Sequence, residues 1–192
     1  MCSFKYMPSA LVCVVEGFEP IECITMVDVL RRGGVSVTLA GTEKVQKGAH
    51  GITVHTDALV SEVGSTLYDA IMLPGGPGWK EMQTNGAIRA LTENHSKHGK
   101  WVMAICAAPS ASLASWGLLK DKRATCYPAM KDVLVANGAQ FIDEPVVVDG
   151  KFLTSQGPAT ALPFAVKALE LLVTSEKYNE VTKGMLLHLV HK

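Results

Sequence analysis

Residues 100–117 read KWVMAICAAPSASLASWG. Trp101 to Ile105 is an apolar run of the length of a buried strand, and Ala107 to Trp116 is a small-residue run compatible with a helix. Cys106 sits at the joint, with Pro109 three residues on. Proline is tolerated in a helix's first turn, where its missing N–H has no partner anyway. The stretch therefore predicts a sharp strand-to-helix turn with Cys106 at its apex. Ala104 and Ala108 take the two positions that are glycine in the G-x-S-x-G elbow, where small residues let a strained turn pack while the nucleophile projects. Free N–H groups and the positive end of the helix dipole favour a thiolate there. Cysteines so placed have pKa values lowered to roughly 3.5–7.5 from about 8.5, so an ionised Cys106 is expected. The competing reading is a buried cysteine acting as a small hydrophobe.

Working outward, Ala10 to Val15 is a second buried run, followed by the turn EGFEP. A helix is predicted from Pro20 to Arg32, with Ile21, Ile24, Val27 and Leu30 at helical spacing and Gly33-Gly34 as its stop. Val35 to Ala40 is the next strand. Strand, helix, strand makes a βαβ unit and hence a parallel sheet. Residues 41–57, GTEKVQKGAHGITVHTD, predict a hairpin or short excursion. Asp69 to Leu73 is another buried strand, and a single helix is expected over Lys80 to His98. Arg123 to Cys126 reads as a short strand and Pro128 to Ala136 as a helix. Pro145 to Val148 and Phe152 to Thr154 flank Asp149-Gly150 as a hairpin. Helices over Ala159 to Val173 and Glu176 to Leu189 follow. Residues 1–8 read as a loose extension and 9–192 as one domain.

Composition narrows the function classes. The 192 residues suit one domain, and 48% hydrophobic against 19% charged residues is a globular balance. Eighteen Lys and Arg balance eighteen Asp and Glu, so no net field draws nucleic acid or an anionic membrane. Five cysteines (Cys2, Cys13, Cys23, Cys106 and Cys126) show no C-x-x-C pairing, which argues against a disulfide framework or zinc site and for a reducing, cytoplasmic setting. The run Ala10 to Val15, broken by Glu16, is too short for a signal peptide, and no later segment approaches a membrane span.

In an open parallel sheet the working site lies at the carboxyl ends of the strands. Four loops are predicted to leave such ends: EGFEPIE (16–22), PGGPG (74–78), the Cys106 elbow and SQGPAT (155–160). Backbone N–H groups of Gly75 and Gly76, with that of Ala107, would form an oxyanion hole. Against this, PGGPG is also an ordinary turn. Glu16, Glu19 and Glu22 complement the helix dipole in the plainer reading. In the sharper one, Glu22 lies in the first helical turn and points back towards Cys106. A carboxyl held against a thiolate is partly protonated and serves as general acid or base. Tyr127 and Cys126, with Gln156, Gly157 and Pro158, are candidates for lining the pocket. Cys126 is also weighed as a resolving cysteine for Cys106. His95, His98, His188 and His191 read as surface helix residues rather than metal ligands.

LVCVVEGFEPIE, YDAIMLPGGPG, MAICAAPS and LTSQGPAT, in that order and spacing, resemble the ThiJ/PfpI superfamily in its DJ-one branch. The resemblance covers about Ser9 to Lys183. It implies a flavodoxin-like α/β three-layer sandwich with a mostly parallel sheet, similar to class I glutamine amidotransferases, and a homodimer. It also implies Cys106 as the reactive cysteine, Glu22 as the acid bonded to it, and the backbone of Gly76 and Ala107 at the anion pocket. The implied activity is a glyoxalase and deglycase without metal or other cofactor, acting on small α-oxoaldehydes or glycated proteins and nucleotides. The alternative it implies is an oxidative-stress sensor or chaperone whose cysteine goes to sulfinate. Two departures stand out. Many members carry histidine where this chain has Tyr127, and tyrosine is a poor base near neutrality. Some have arginine where this chain has Gln156. Ala107 replaces the histidine that follows the cysteine in the protease branch, so proteolysis is not expected.

Overall fold

The computed structural model describes residues 6–189. Most of the expected N-terminal extension, Cys2 and His191 fall outside them. Strand β1 (Ser9–Val14) is followed by α1 (Pro20–Arg32) and β2 (Ser36–Gly41), the predicted βαβ unit. The predicted hairpin is β3 (Val45–Lys47) and β4 (Thr53–His55), paired antiparallel. It lies over the β1–α1 loop, where the Gly17 N–H donates to the Lys47 carbonyl and the Ala49 N–H to that of Phe18. A two-residue strand, β5 (Ala58–Leu59), then extends the sheet edge before β6 (Ala70–Leu73).

The helix expected over 80–98 is two helices, α2 (Trp79–Thr84) and α3 (Gly86–Lys97). Asn85 divides them: its side-chain oxygen accepts from the N–H groups of Ala87 and Ile88, capping α3. Strand β7 (Trp101–Ile105) comes next, then a π-helical segment over Pro109–Ala114 in place of the expected α-helix. The short strand β8 (Arg123–Ala124), α4 (Lys131–Ala136) and β9 (Gln140–Phe141) precede the hairpin of β10 (Val146–Asp149) and β11 (Phe152–Ser155). Helices α5 (Ala161–Leu172) and α6 (Ser175–Gly184) follow.

Among the described residues seven strands form one sheet in the order β10-β11-β7-β6-β1-β2-β5, parallel except for β10. Alternation along each strand divides the core between the two faces. Val12 and Val14, with Met103 and Ile105, pack against Met26 and Leu30 of α1 and Phe164 and Leu169 of α5. Leu11 and Cys13, with Ala104, face Ile88 and Leu91 of α3, Leu113 and Leu134. This is the expected three-layer sandwich. Strand order reverses between β1 and β6, and the carboxyl ends of β1, β6, β7 and β11 lie side by side there.

His95 is buried, against the surface position expected of it. Its Nε2 accepts the Tyr68 N–H at 3.0 Å and its Nδ1 lies 2.7 Å from the Leu91 carbonyl, so the ring bridges α3 to the segment entering β6. Burial lowers its pKa first, which fits a neutral ring with the proton on Nδ1. His98 is exposed as expected. Among the described residues no helix is long and apolar enough to cross a membrane, and no group of three or more His, Cys, Asp or Glu is placed to hold a metal ion.

Candidate active site

Cys106 takes φ = 66°, in the left-handed region that residues other than glycine rarely enter. Such a conformation costs of order 1–3 kcal/mol and persists only where its surroundings over-determine it. Here they do. The Cys106 N–H donates to the Ser155 carbonyl at 3.0 Å, extending the β7–β11 ladder, and its carbonyl accepts from the Tyr127 N–H at 2.7 Å. With both backbone groups held, the side chain projects from the apex of the turn. Its sulfur receives hydrogen bonds from the N–H groups of Ala107 and Gly76. These are the two amides expected at the anion pocket.

Gly75 does something different from the role expected of it. Its N–H donates to Glu22 Oε2 at 2.7 Å, so that amide holds the acid rather than an oxyanion. Gly75 also lets the loop approach the elbow, since a Cβ there would lie 2.6 Å from Cys106 Cβ and 3.0 Å from Sγ. Glu22 is fully buried in the first turn of α1. Its other oxygen, Oε1, is buried without a hydrogen-bond partner among the described residues, and the Cys106 thiol lies close enough to act on the carboxyl. Glu19 caps the helix by accepting the Glu22 N–H at 2.8 Å. The sequence signal for that cap is Glu19 directly before Pro20, the first helical residue.

The electrostatics correct one expectation. Burial pushes the Glu22 carboxyl up to about 7, opposed by its hydrogen bonds from Gly75 and Cys106 and assisted by the Glu19 charge. Burial is also the largest influence on Cys106, followed by the Glu22 carboxylate, and together they push its thiol up to about 12. A helix end does not by itself hold this sulfur ionised. The two N–H groups work in that direction but are outweighed while Glu22 is charged. The pair therefore titrates as one unit, and a thiolate is favoured when Glu22 carries the proton.

The remaining predicted residues divide. The Tyr127 backbone bonds to Cys106, and its half-exposed ring lies beside Gly157. Gly157 and Pro158 open the turn before α5, where the Gly157 N–H donates to Thr160 Oγ1 at 3.0 Å. The Gln156 amide is tied to Asp143 Oδ1 at 2.9 Å. Cys126 does not fit a resolving role: it is fully buried in the core on the other face of the sheet, while Cys106 packs against the α1–α5 core. Among the described residues Cys13, Cys23, Cys106 and Cys126 are free, and Cys106 is the one with partial exposure.

Comparison with known proteins gives a consistent result. The pattern of the DJ-1/PfpI family matches residues 8–171. Protein DJ-1 homolog A of Arabidopsis thaliana is 37% identical over 187 residues, 95% of this chain. The chain spans only 47% of that relative's length, and 40% of homolog B from the same plant. The glutathione-independent glyoxalase DJR-1.2 of Caenorhabditis elegans is 38% identical, covering 90% of this chain and 92% of the relative. A deglycase of Pyrococcus abyssi is 32% identical, covering 84% and 98%. The crystal structure of Drosophila melanogaster DJ-1beta superposes with a TM-score of 0.90 at 39% identity, over 94% of this chain and 98% of that one.

Proposed function

The chain belongs to the DJ-1/PfpI family, and from that premise we propose that it is a cysteine-dependent glyoxalase and deglycase acting on methylglyoxal and its early adducts without glutathione. One observation carries this reading: a strained cysteine whose sulfur is acted on by two N–H groups and by a buried, protonatable glutamate beside it.

The chemistry follows from that arrangement. Cys106 Sγ adds to the aldehyde carbon while the Glu22 proton passes to the carbonyl oxygen, giving a hemithioacetal. The N–H groups of Gly76 and Ala107 stabilise the negative charge, first on sulfur and then on the oxygen that develops beside it. Glu22, now a carboxylate, removes the hydrogen from that carbon and returns a proton to the neighbouring one. The former aldehyde carbon is oxidised and the former ketone carbon reduced, so no outside electron acceptor enters. Water then cleaves the resulting thioester, releasing lactate and the thiol. On an early glycation adduct, a carbinolamine or hemithioacetal, Cys106 Sγ bonds to the same carbon as its bond to the amine or thiol breaks, and the Glu22 proton passes to that leaving group, which gives the same Cys106 hemithioacetal. Wild-type protein should form lactate from methylglyoxal in the absence of glutathione, and Cys106→Ser should not.

The family relationship and the exposed Ile21 and Ile24 of α1, with exposed Val45 and Ile52 on the β3–β4 hairpin, support a homodimer. The free buried cysteines support a reducing, cytoplasmic location. Sedimentation as a monomer, or fractionation into an oxidising compartment, contradicts these two points. A second reading, oxidation sensing, is favoured by the partial exposure of Cys106 beside three buried cysteines. Mild peroxide should then add two oxygens to the Cys106 peptide. Addition spread equally over the Cys13, Cys23 and Cys126 peptides contradicts it.

A further inference from the structure

Glu19 lies outside the reaction just described, yet three hydrogen bonds join it to Gly75 and Glu22 in a closed ring. The Glu19 N–H donates to the Gly75 carbonyl at 2.9 Å, the Gly75 N–H donates to Glu22 Oε2 at 2.7 Å, and the Glu22 N–H donates to Glu19 Oε2 at 2.8 Å. The ring links the loop after β1 to the loop after β6, and both carboxyl groups are buried within it. We propose that Glu19 is a positioning residue for the Cys106–Glu22 pair, holding Glu22 in register with the sulfur and biasing their shared proton towards the Glu22 carboxyl.

The bias follows from where the charges sit. Glu22 is acted on by Cys106 from the elbow and by Glu19 from its own element, and the glycine loop contributes only an amide. Cys23, the next residue of α1, is a buried thiol that feels both glutamates. Among the described residues, no lysine, arginine or histidine is among the groups acting on Glu22. The Glu19 charge acts on Glu22 but is not among the groups acting on Cys106. A negative charge nearer one partner than the other raises the energy of the form in which that nearer partner is ionised. Here the penalised form is Glu22 carboxylate with Cys106 thiol. Relative to it, neutral Glu22 with Cys106 thiolate gains. Glu19 thus makes the cysteine more nucleophilic although it is itself an anion.

The sign of that effect supplies the test. The proposal rests on reading Cys106 and Glu22 as a proton-sharing pair, and alkylation reports on the pair whether or not methylglyoxal is turned over. Glu19→Gln keeps an oxygen to accept the Glu22 N–H and loses the charge. Iodoacetamide modification at pH 7, followed on the Cys106 peptide by mass spectrometry, should slow several-fold, within the tenfold that one pK unit represents. Glu19→Asp should recover most of the rate by keeping the charge. In a Glu22→Gln background the Glu19→Gln change should have no effect, because no proton remains to be shared. Faster alkylation in Glu19→Gln would show Glu19 acting as an ordinary repulsive neighbour of a thiolate and would overturn the proposal. An unchanged rate, or an equal slowing in the Glu22→Gln background, would overturn it too.

Discussion

Replacing Glu22 with Gln should lower methylglyoxal turnover by about 10²–10⁴-fold, the range that a positioned general acid–base contributes, while making the folded protein more stable above neutral pH. The two effects share a cause. Glutamine fills the same space, and its side-chain oxygen can accept the Gly75 N–H as Glu22 Oε2 does. It cannot carry a proton between the two carbons of the substrate. The stability change follows from the raised carboxyl. A buried acid held at about 7 when folded and near 4.3 when unfolded costs nothing while protonated in both states. As pH rises from the lower value through the higher, the unfolded chain ionises first and the folded state loses stability. The full penalty is on the order of 4 kcal/mol and is reached above about pH 8. Thermal melts at pH 5 and pH 8 should therefore show Glu22→Gln gaining on wild type at the higher pH only. An equal gain at both would mean that the carboxyl is not held protonated by its surroundings.

Gly76→Ala should destabilise the protein by about 2–5 kcal/mol, combining a left-handed backbone penalty with forced overpacking. Gly76 has φ = 108°, and a Cβ there would lie 2.5 Å from the Glu19 nitrogen and 2.7 Å from the Phe18 carbonyl carbon. Those atoms are backbone and cannot turn aside as a side chain does. The same movement would lift the Gly76 N–H from the Cys106 sulfur, so whatever protein still folds should lose activity as well. Gly86 is the internal control. A Cβ there meets nothing within 4 Å, and it opens helix α3, so Gly86→Ala should be neutral or stabilising by up to about 1 kcal/mol. Denaturant unfolding of the two variants checks the contrast. Comparable midpoints would contradict the account of the glycine loop.

Much of this was legible from local pattern. The apolar runs of β1, β6 and β7, with a helix between β1 and β2, point to a parallel sheet. The cysteine between Ile105 and two alanines points to the elbow. Glu22 could be placed because Pro20 marks the first turn of α1. What the sequence hid depended on pairing across loops. Gly75 and Gly76 are adjacent and identical in type, yet one N–H serves Glu22 and the other serves the sulfur. Only the crossing of the two loops decides which. His95 looked like a surface residue because its neighbours in sequence are polar. Its burial arises from the approach of Tyr68, far away in the chain. The ionisation of Cys106 is hidden for a related reason: the helix end is a local feature, whereas the desolvation and the Glu22 charge that oppose it are tertiary.

The most direct measurement is lactate formation from methylglyoxal in glutathione-free buffer, followed for wild type and Cys106→Ser at matched folded concentration. The account predicts steady lactate release by the wild type and none above the uncatalysed rate in the variant. Equal lactate release by both proteins would remove Cys106 from the reaction, and with it the chemistry assigned to this site.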